Sequence, residues 1–256
     1  MFPERVSSYS SYQAALIGRQ LGKPVFTFED TENVPLLHTI NRFLSSRMIT
    51  PYCFELDFGS KHVRFDGYKE LVGLHPYRLE LLPLPASVCE PYTVLRFVSW
   101  MAYHDRGHSG ISEEMKVKIV ERLSESGNVY ISSEKPLPPR LEPYRLEVDC
   151  GLGHSVLAGA RLLFSESATM AAEAAVLGVP AIFIDNTGRG YTRDMEHRYG
   201  LVFNFSEDDS DVERALGKAV GLLSRGVLRE EWLMKRDAML EGKVDLTSWM
   251  IEMVGG

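Results

Sequence analysis

The sequence predicts an α/β fold built on parallel sheets, divided into a small first part and a larger second part. Short apolar runs alternate with helical patterns along most of the 256 residues, the signature of strands joined by crossover helices. Gly, Ser and Pro punctuate the joints between the two kinds of segment. The alternation fails once, over residues 52–90, and that break separates the two parts.

In the first part, "SYQAALIGRQLGK" repeats apolar residues at helical spacing and stops at Gly22. "PVFTF" follows as a strand and ends in the acidic "EDTE". A second helix, "VPLLHTINRFLSS", leads to the strand "RMIT" and Pro51. Only about two strands are evident here, too few for an ordinary sheet of about 4–6. Residues 52–90 carry scattered prolines without a sustained period and are expected to form a connector.

The second part opens with "YTVLRFVSW", a buried strand, and Ser112 is placed to cap the helix "EEMKVKIVERLSES". Glu113 and Glu114 in its first turn and Gly127 at its end suit the helix dipole and a C-terminal cap. "NVYISS" is the next strand and "KPLPPRLEPY" a proline-rich loop. "SVLAGA", "TMAAEAAVLG" and "TRDMEHRYG" are helical, interleaved with the strands "RLLFS", "PAIFID" and "LVFNF". Three amphipathic helical segments close the chain from about Ser210. The expected division is 1–85 for a partial N-terminal α/β domain with its connector and 86–256 for the C-terminal domain, whose last helix would pack back on the first part.

A net charge of −7 argues against non-specific binding to nucleic acid or an anionic membrane, which requires a basic footprint. No apolar run approaches the length of about 18–20 residues that a membrane span requires. The start, "MFPERVSSYSSYQ", lacks a signal-peptide core. Cys53, Cys89 and Cys150 are sparse, odd in number and free of Cys-x-x-Cys spacing, as in a reduced protein. Cytoplasm is the expected compartment.

The most informative stretch is "SESATMAAEAAVLGVPAI", which begins at Ser165. Ser167 can cap the helix, so that the amides of Ala168, Thr169 and Met170 point outward with the dipole behind them, an arrangement that binds phosphate. Glu173 lies four residues after Thr169 on the same face and could accept hydrogen bonds from ribose hydroxyls. The alternative is that small residues only let the helix approach the sheet, and Glu166 counts against an anion unless it points away.

Other groups have competing roles. "GLGHSV" at Gly151 begins like a dinucleotide fingerprint, but lacks the third glycine and a preceding buried strand. "HDRGH" puts His104 and His108 at the spacing of a helical zinc pair without a third ligand. His104 and Asp105 are instead candidates for polar groups at a strand's end, or for turn formation. In "EDTE", adjacent carboxylates offer acid/base chemistry, whereas Asp30 or Thr31 could equally cap the next helix. Arg96, inside an apolar strand, needs an anionic partner.

"FTFEDTE", "FDGYKELVGLHP", "YTVLRFVSWMAYHDRGHSGIS", "ISSEKPLP" and "SESATMAAEAAVLGVPAI…YGLVF", in this order, resemble the family catalogued as domain of unknown function 354, common in archaea. That family is related to UDP-N-acetylglucosamine 2-epimerases and GT-B glycosyltransferases. The resemblance spans essentially the whole chain and implies a GT-B-like pair of Rossmann-like domains facing across a cleft. The C-terminal domain would hold the nucleotide half of a sugar donor.

The epimerases carry Ser-Gly-Gly, then Glu-Glu-Ala, then Leu-Gly-x-Pro. Ser167 matches their serine, Ala168 and Thr169 the glycines, Glu173 the second glutamate and Ala174 the alanine. The resemblance thus implies a diphosphate near the amides of Ser167, Ala168, Thr169 and Met170, and the ribose at Glu173. Two departures matter: the glycines are replaced, and Arg96 and His104 only approximate the epimerase His-Arg-Arg. Relatives also begin with further strand–helix units, so the N-terminal domain is expected to be incomplete, by roughly two units of about 30 residues or more. Its free edge and apolar face would favour pairing with another chain, as in a homo-oligomer.

The resulting expectation is a protein that binds a UDP-linked sugar, active as a glycosyltransferase or epimerase, or else a non-catalytic binder on the same scaffold. Asp30, Glu32, His104 and Asp105 are the acid/base candidates. Arg96, Ser165, Ser167, Ala168, Thr169, Met170 and Glu173 are the candidates for holding the nucleotide. No cofactor, metal or nucleic acid is called for.

Overall fold

A computed structural model describes residues 4–98, 110–133 and 136–255. The chain divides into two units: Met1–Tyr77 with Arg189–Tyr191 and Gly242–Gly256, and Arg78–Gly188 with Thr192–Glu241. Among the described residues, no helix is long and apolar enough to cross a membrane.

The first unit holds a parallel sheet of four strands in the order β1-β2-β3-β4: Val6–Tyr9, Val25–Phe28, Arg47–Pro51 and His62–Phe65. This corrects the expectation of two strands. β1 lies in a serine-rich run and β4 within the stretch expected to be a connector, which also contains helix α3 (Leu71–Leu74). Helix α1 (Tyr12–Gln20) is capped by Ser11, whose hydroxyl accepts from Ala14 N–H at 3.2 Å. Gly22, at φ +65°, takes the chain out of the helix in a left-handed conformation that a side chain would disfavour.

Gly18 of α1 lies directly over Val6 and Val25, which are partners in the β1–β2 register. Helix α2 (Pro35–Leu44) starts on Pro35, with Val34 as its cap and no side-chain cap bond. Neither Asp30 nor Thr31 caps it, because proline at the first turn supplies the fixed φ and removes one orphan donor. On the other face of this sheet, Trp249 of helix α10 (Leu246–Gly255) stands 5.6 Å from Phe65 of β4. At the far end of α10, the Val254 carbonyl accepts from Arg5 at 2.6 Å, next to β1.

The second unit holds a parallel sheet of five strands ordered β6-β5-β7-β8-β9. These are Tyr92–Phe97 (β5), Asn128–Ser133 (β6), Leu163–Ser165 (β7), Ala181–Ile184 (β8) and Val202–Phe205 (β9). Val94, Leu95, Phe164 and Ile182 are fully buried, as expected of strands covered on both faces. Helix α4 (Glu113–Ser124) is capped by Ser112 as the sequence predicts. Helices α5 (Gly153–Gly159), α6 (Ala168–Val176), α7 (Gly190–Tyr199), α8 (Asp209–Leu223) and α9 (Leu228–Leu240) complete the sequence of elements.

The strand order fixes where a ligand can sit. After β5 the chain moves to β6 on one side, then returns to place β7 on the other. The C-terminal ends of β5 and β7 therefore flank the point where the winding direction reverses, the usual ligand crevice of open α/β sheets.

Candidate functional site

At this reversal point β7 ends in Ser165 and α6 begins three residues later. Ser165, buried, shapes the turn by accepting from Ser167 N–H at 2.8 Å and donating to Ser167 C=O at 3.2 Å. Ser167 is extended (φ −103°, ψ 114°), and its hydroxyl accepts from Met170 N–H at 3.3 Å. Its cap therefore takes one of the three amides expected to be free. The N–H groups of Ala168 and Thr169 have no partner among the described residues, so two donors and the dipole of α6 remain for an anion.

Glu166 is turned into the interior. Its buried carboxylate accepts from Val98 N–H at 2.9 Å and from Ile111 N–H at 2.7 Å, with Lys116 Nζ at 3.9 Å. It thereby ties the end of β5 to the approach to α4, and these donors meet its charge. The small residues of α6 serve close packing as well: Ala171, Ala172, Ala174 and Ala175 are fully buried. The two roles weighed for this stretch are compatible, because packing uses the inner face of α6 and the free donors lie at its end.

Glu173 keeps a quarter of its side chain exposed and lies 3.5 Å from His154 Nε2. His154 is in the first turn of α5, from "GLGHSV", the stretch with the abortive dinucleotide pattern, and a short 3-10 turn, Cys150–Leu152, leads into it instead of a strand. Among the described residues, the sheet contact before that point is an isolated bridge from Ile131 to Arg145. Sequence reasoning missed this histidine because nothing local indicates a partner on another helix.

Arg96 is in register with Ser132 on one side and Ser165 on the other, so the three share a face of the sheet. Its Nη1 donates to Ser132 Oγ at 3.1 Å. His104 and Asp105, with the rest of "HDRGH", lie outside the described residues. Among the described residues no group of His, Cys, Asp and Glu could hold a metal ion.

The other acid/base candidates belong to the first unit. β2 ends in Glu29 and Asp30, both buried. Glu29 accepts from Ser10 Oγ at 2.7 Å and from the amides of Asp30 and Thr31 at 3.1 and 3.2 Å. It braces Ser10, which adopts the left-handed φ of 50° that a non-glycine residue resists. Burial raises the Glu29 carboxyl above the usual carboxylate range, and the bond from Ser10 opposes that rise.

Asp30 binds Lys69 Nζ at 2.6 Å and accepts from the Thr31 hydroxyl at 3.2 Å. Glu32 accepts from Gly190 N–H at 3.3 Å; its carboxyl too is raised, chiefly by burial. Gly190 is required there, since a Cβ would collide with Glu32 and with the Cys53 carbonyl. Tyr9 and Tyr191 are held un-ionised by burial and by the charges of Asp30 and Glu70, two groups that reasoning from the sequence did not connect.

No family model matches this chain, and no curated protein matches it in sequence. Solved structures do. A putative UDP-N-acetylglucosamine 2-epimerase from Listeria monocytogenes is 14% identical at a TM-score of 0.63, over 90% of this chain and 68% of that one. Spinosyn forosaminyltransferase SpnP is 14% identical at 0.60, over 99% and 76%. Spinosyn rhamnosyltransferase SpnG, solved with thymidine diphosphate, is 12% identical at 0.62, over 99% and 73%. At such identities the likeness concerns the fold, and the two parallel-sheet units of four and five strands are those of the GT-B glycosyltransferases and the epimerases.

Proposed function

We propose that the protein binds a nucleotide sugar, UDP-linked, at the start of α6, and that it is a glycosyltransferase- or epimerase-like member of the family catalogued as domain of unknown function 354. The observation that carries this reading is the pair of partnerless amides, Ala168 and Thr169, at the winding reversal of the five-stranded sheet. In this reading they hold the diphosphate, Ser165 and Ser167 fix the turn that presents them, and Glu173 accepts from the ribose hydroxyls. The thymidine diphosphate held by a protein of the same fold supports the ligand class.

When the bond between sugar and diphosphate breaks, negative charge grows on the departing nucleotide. Fixed amides stabilise it without reorganisation. Asp30, Glu32, His104 and Asp105 are the acid/base candidates. One observation favours the second reading, a non-catalytic binder. Asp30 is committed to Lys69 and Glu32 to the Gly190 amide, so neither carboxylate is idle.

Calorimetry and thermal shift with UDP-N-acetylglucosamine, UDP and thymidine diphosphate test the binding. Stabilisation by a nucleoside diphosphate and its sugar is expected, by RT ln(1 + [L]/Kd). A protein that none of them stabilises would sink the proposal. Incubation with the sugar nucleotide that binds then separates the readings: released nucleotide or an epimer indicates an enzyme, an unchanged ligand the binder.

A further inference from the structure

The N-terminal ends of β5, β7 and β8, three neighbours in the five-stranded sheet, border a cavity of about 390 Å³. Pro91 directly precedes β5, Arg161 stands two residues before β7, and Pro180 directly precedes β8. Arg225, in the turn from α8 to α9, and Arg229, in the first turn of α9, complete the wall. All of these residues belong to the second unit. The cavity lies at the opposite edge of the sheet from the start of α6, and none of the residues proposed for the nucleotide lines it. Its volume falls within the range of about 300–1,000 Å³ usual for small-molecule sites.

The charge of this wall contrasts with that of the chain. The protein carries a net −7, yet three guanidinium groups line the cavity, and Glu90 is the one carboxylate among the lining residues. Arg161 donates to the Ser126 carbonyl at 3.3 Å and to the Leu223 carbonyl at 2.5 Å. Neutral acceptors thus fix its fork, and among the described residues no carboxylate pairs with it. Arg225 is steadied by Trp232, whose ring centroid is 6.0 Å from its Cζ, and its charge is met by Glu231.

Arg229 differs from both. Among the described residues its guanidinium makes neither a hydrogen bond nor an ion pair. Burial, and after it the charge of Arg236, lower this guanidinium below the ordinary arginine value, and Glu90 offsets only part of that. Both costs are ones that a bound anion relieves. Concave walls of low dielectric also concentrate the field of the charges that line them.

We propose that this cavity binds a small phosphorylated ligand, whose phosphate is held by Arg229 together with Arg161 and Arg225. Planar guanidinium forks match the oxygens of a phosphate in pairs, which a lysine cannot do. Pro91 and Pro180 give the rest of the ligand an apolar wall. Glu90 favours hydroxyl groups beside the phosphate, which donate to it, over further carboxylates, which it repels. A long polyanion is disfavoured by the net charge of the chain, whereas a small one needs only the local field.

Inorganic pyrophosphate is the probe, because it presents the anion without any chosen organic part. Calorimetry uses the Thr169→Glu protein, in which an acid blocks the start of α6, at an ionic strength of about 0.05 M, where screening is weak. One equivalent of pyrophosphate should bind. Adding Arg229→Glu should weaken binding more than tenfold while circular dichroism and Tm are kept, since an acid in the first turn of α9 suits the helix dipole. Arg122→Glu makes the same change of net charge on α4, away from the cavity, and should leave binding unaltered. No binding to the Thr169→Glu protein, binding that Arg229→Glu leaves intact, or equal weakening by Arg122→Glu would each overturn the proposal. UDP keeps the two sites apart: a wild-type protein that takes pyrophosphate through Arg229 but no UDP retains this site and loses the one at α6.

Discussion

Replacing Glu166 by alanine should cost more stability than any substitution at the exposed face of α6. The Glu166 side chain is fully buried and accepts from Val98 N–H at 2.9 Å and Ile111 N–H at 2.7 Å, with Lys116 Nζ at 3.9 Å. A hydrogen bond to a charged acceptor contributes about 1.5–3 kcal/mol, so losing two costs about 3–6 kcal/mol and leaves two donors and a lysine without their acceptor. For a chain of this size each kcal/mol shifts Tm by about 2–4 °C, which predicts a fall of at least about 6 °C. Glu166→Gln keeps one accepting oxygen but turns an NH2 towards a donor, and should fall between alanine and wild type. Hydrogen exchange localises the effect: the Val98 and Ile111 amides should lose protection ahead of the β8 core. An alanine variant within about 2 °C of wild type, with both amides still protected, would refute the role given to this carboxylate.

The exposed Thr169 separates binding from folding, because an acid in the first turn suits the helix dipole but repels a diphosphate: Thr169→Glu should keep or raise the ligand-free Tm and abolish the shift caused by UDP. Glu173→Ala removes a part-exposed pair with His154 that contributes about 0–1 kcal/mol, so its loss of nucleotide affinity, read by calorimetry, should come without unfolding. Gly18→Ala places a Cβ 2.6 Å from Val25 Cγ2, and overpacking of this kind costs about 1–3 kcal/mol, visible in urea unfolding. Glu29 tests the buried carboxyls by pH. Burial raises its carboxyl, so between the ordinary carboxylate value and its native one the folded state holds a proton that the unfolded chain has released. Stability therefore falls as pH rises through that window. Glu29→Gln should flatten the fall, and an unchanged slope would show that the carboxyl does not titrate there.

The second unit was legible because its strands are buried on both faces. "YTVLRF", "LLFS" and "AIFI" are predominantly apolar, and such runs between capped helices have few other uses. The first unit was half legible for the converse reason. β1 reads Val-Ser-Ser-Tyr and β4 His-Val-Arg-Phe, strands whose partly exposed residues give too little contrast over four positions for a period to emerge. The cap on α6 could be found from Ser167 alone, since a hydroxyl before a helical run acts through local geometry. Strand order is not local. That β7 lies on the far side of β5 from β6, which makes the start of α6 a crevice, is decided by tertiary packing.

The direction of Glu166 was hidden for a related reason, and it changes the electrostatics of the proposed site. In a strand buried on both faces, alternation does not say which way the residue after it turns. A carboxylate beside a phosphate would oppose binding at close range through a medium of low dielectric. Turned inward, Glu166 meets two amides and approaches Lys116, and its field at the helix start is offset by the donors it engages. Among the described residues, the start of α6 offers the anion the helix dipole and the N–H groups of Ala168 and Thr169. A site of that composition favours a ligand with a second handhold, because two amides alone hold phosphate weakly against water. Glu173, four residues along the same helix face from Thr169, supplies it for a ribose. The proposed preference for a nucleoside diphosphate over inorganic phosphate follows from that spacing, and equal affinity for both would remove its basis.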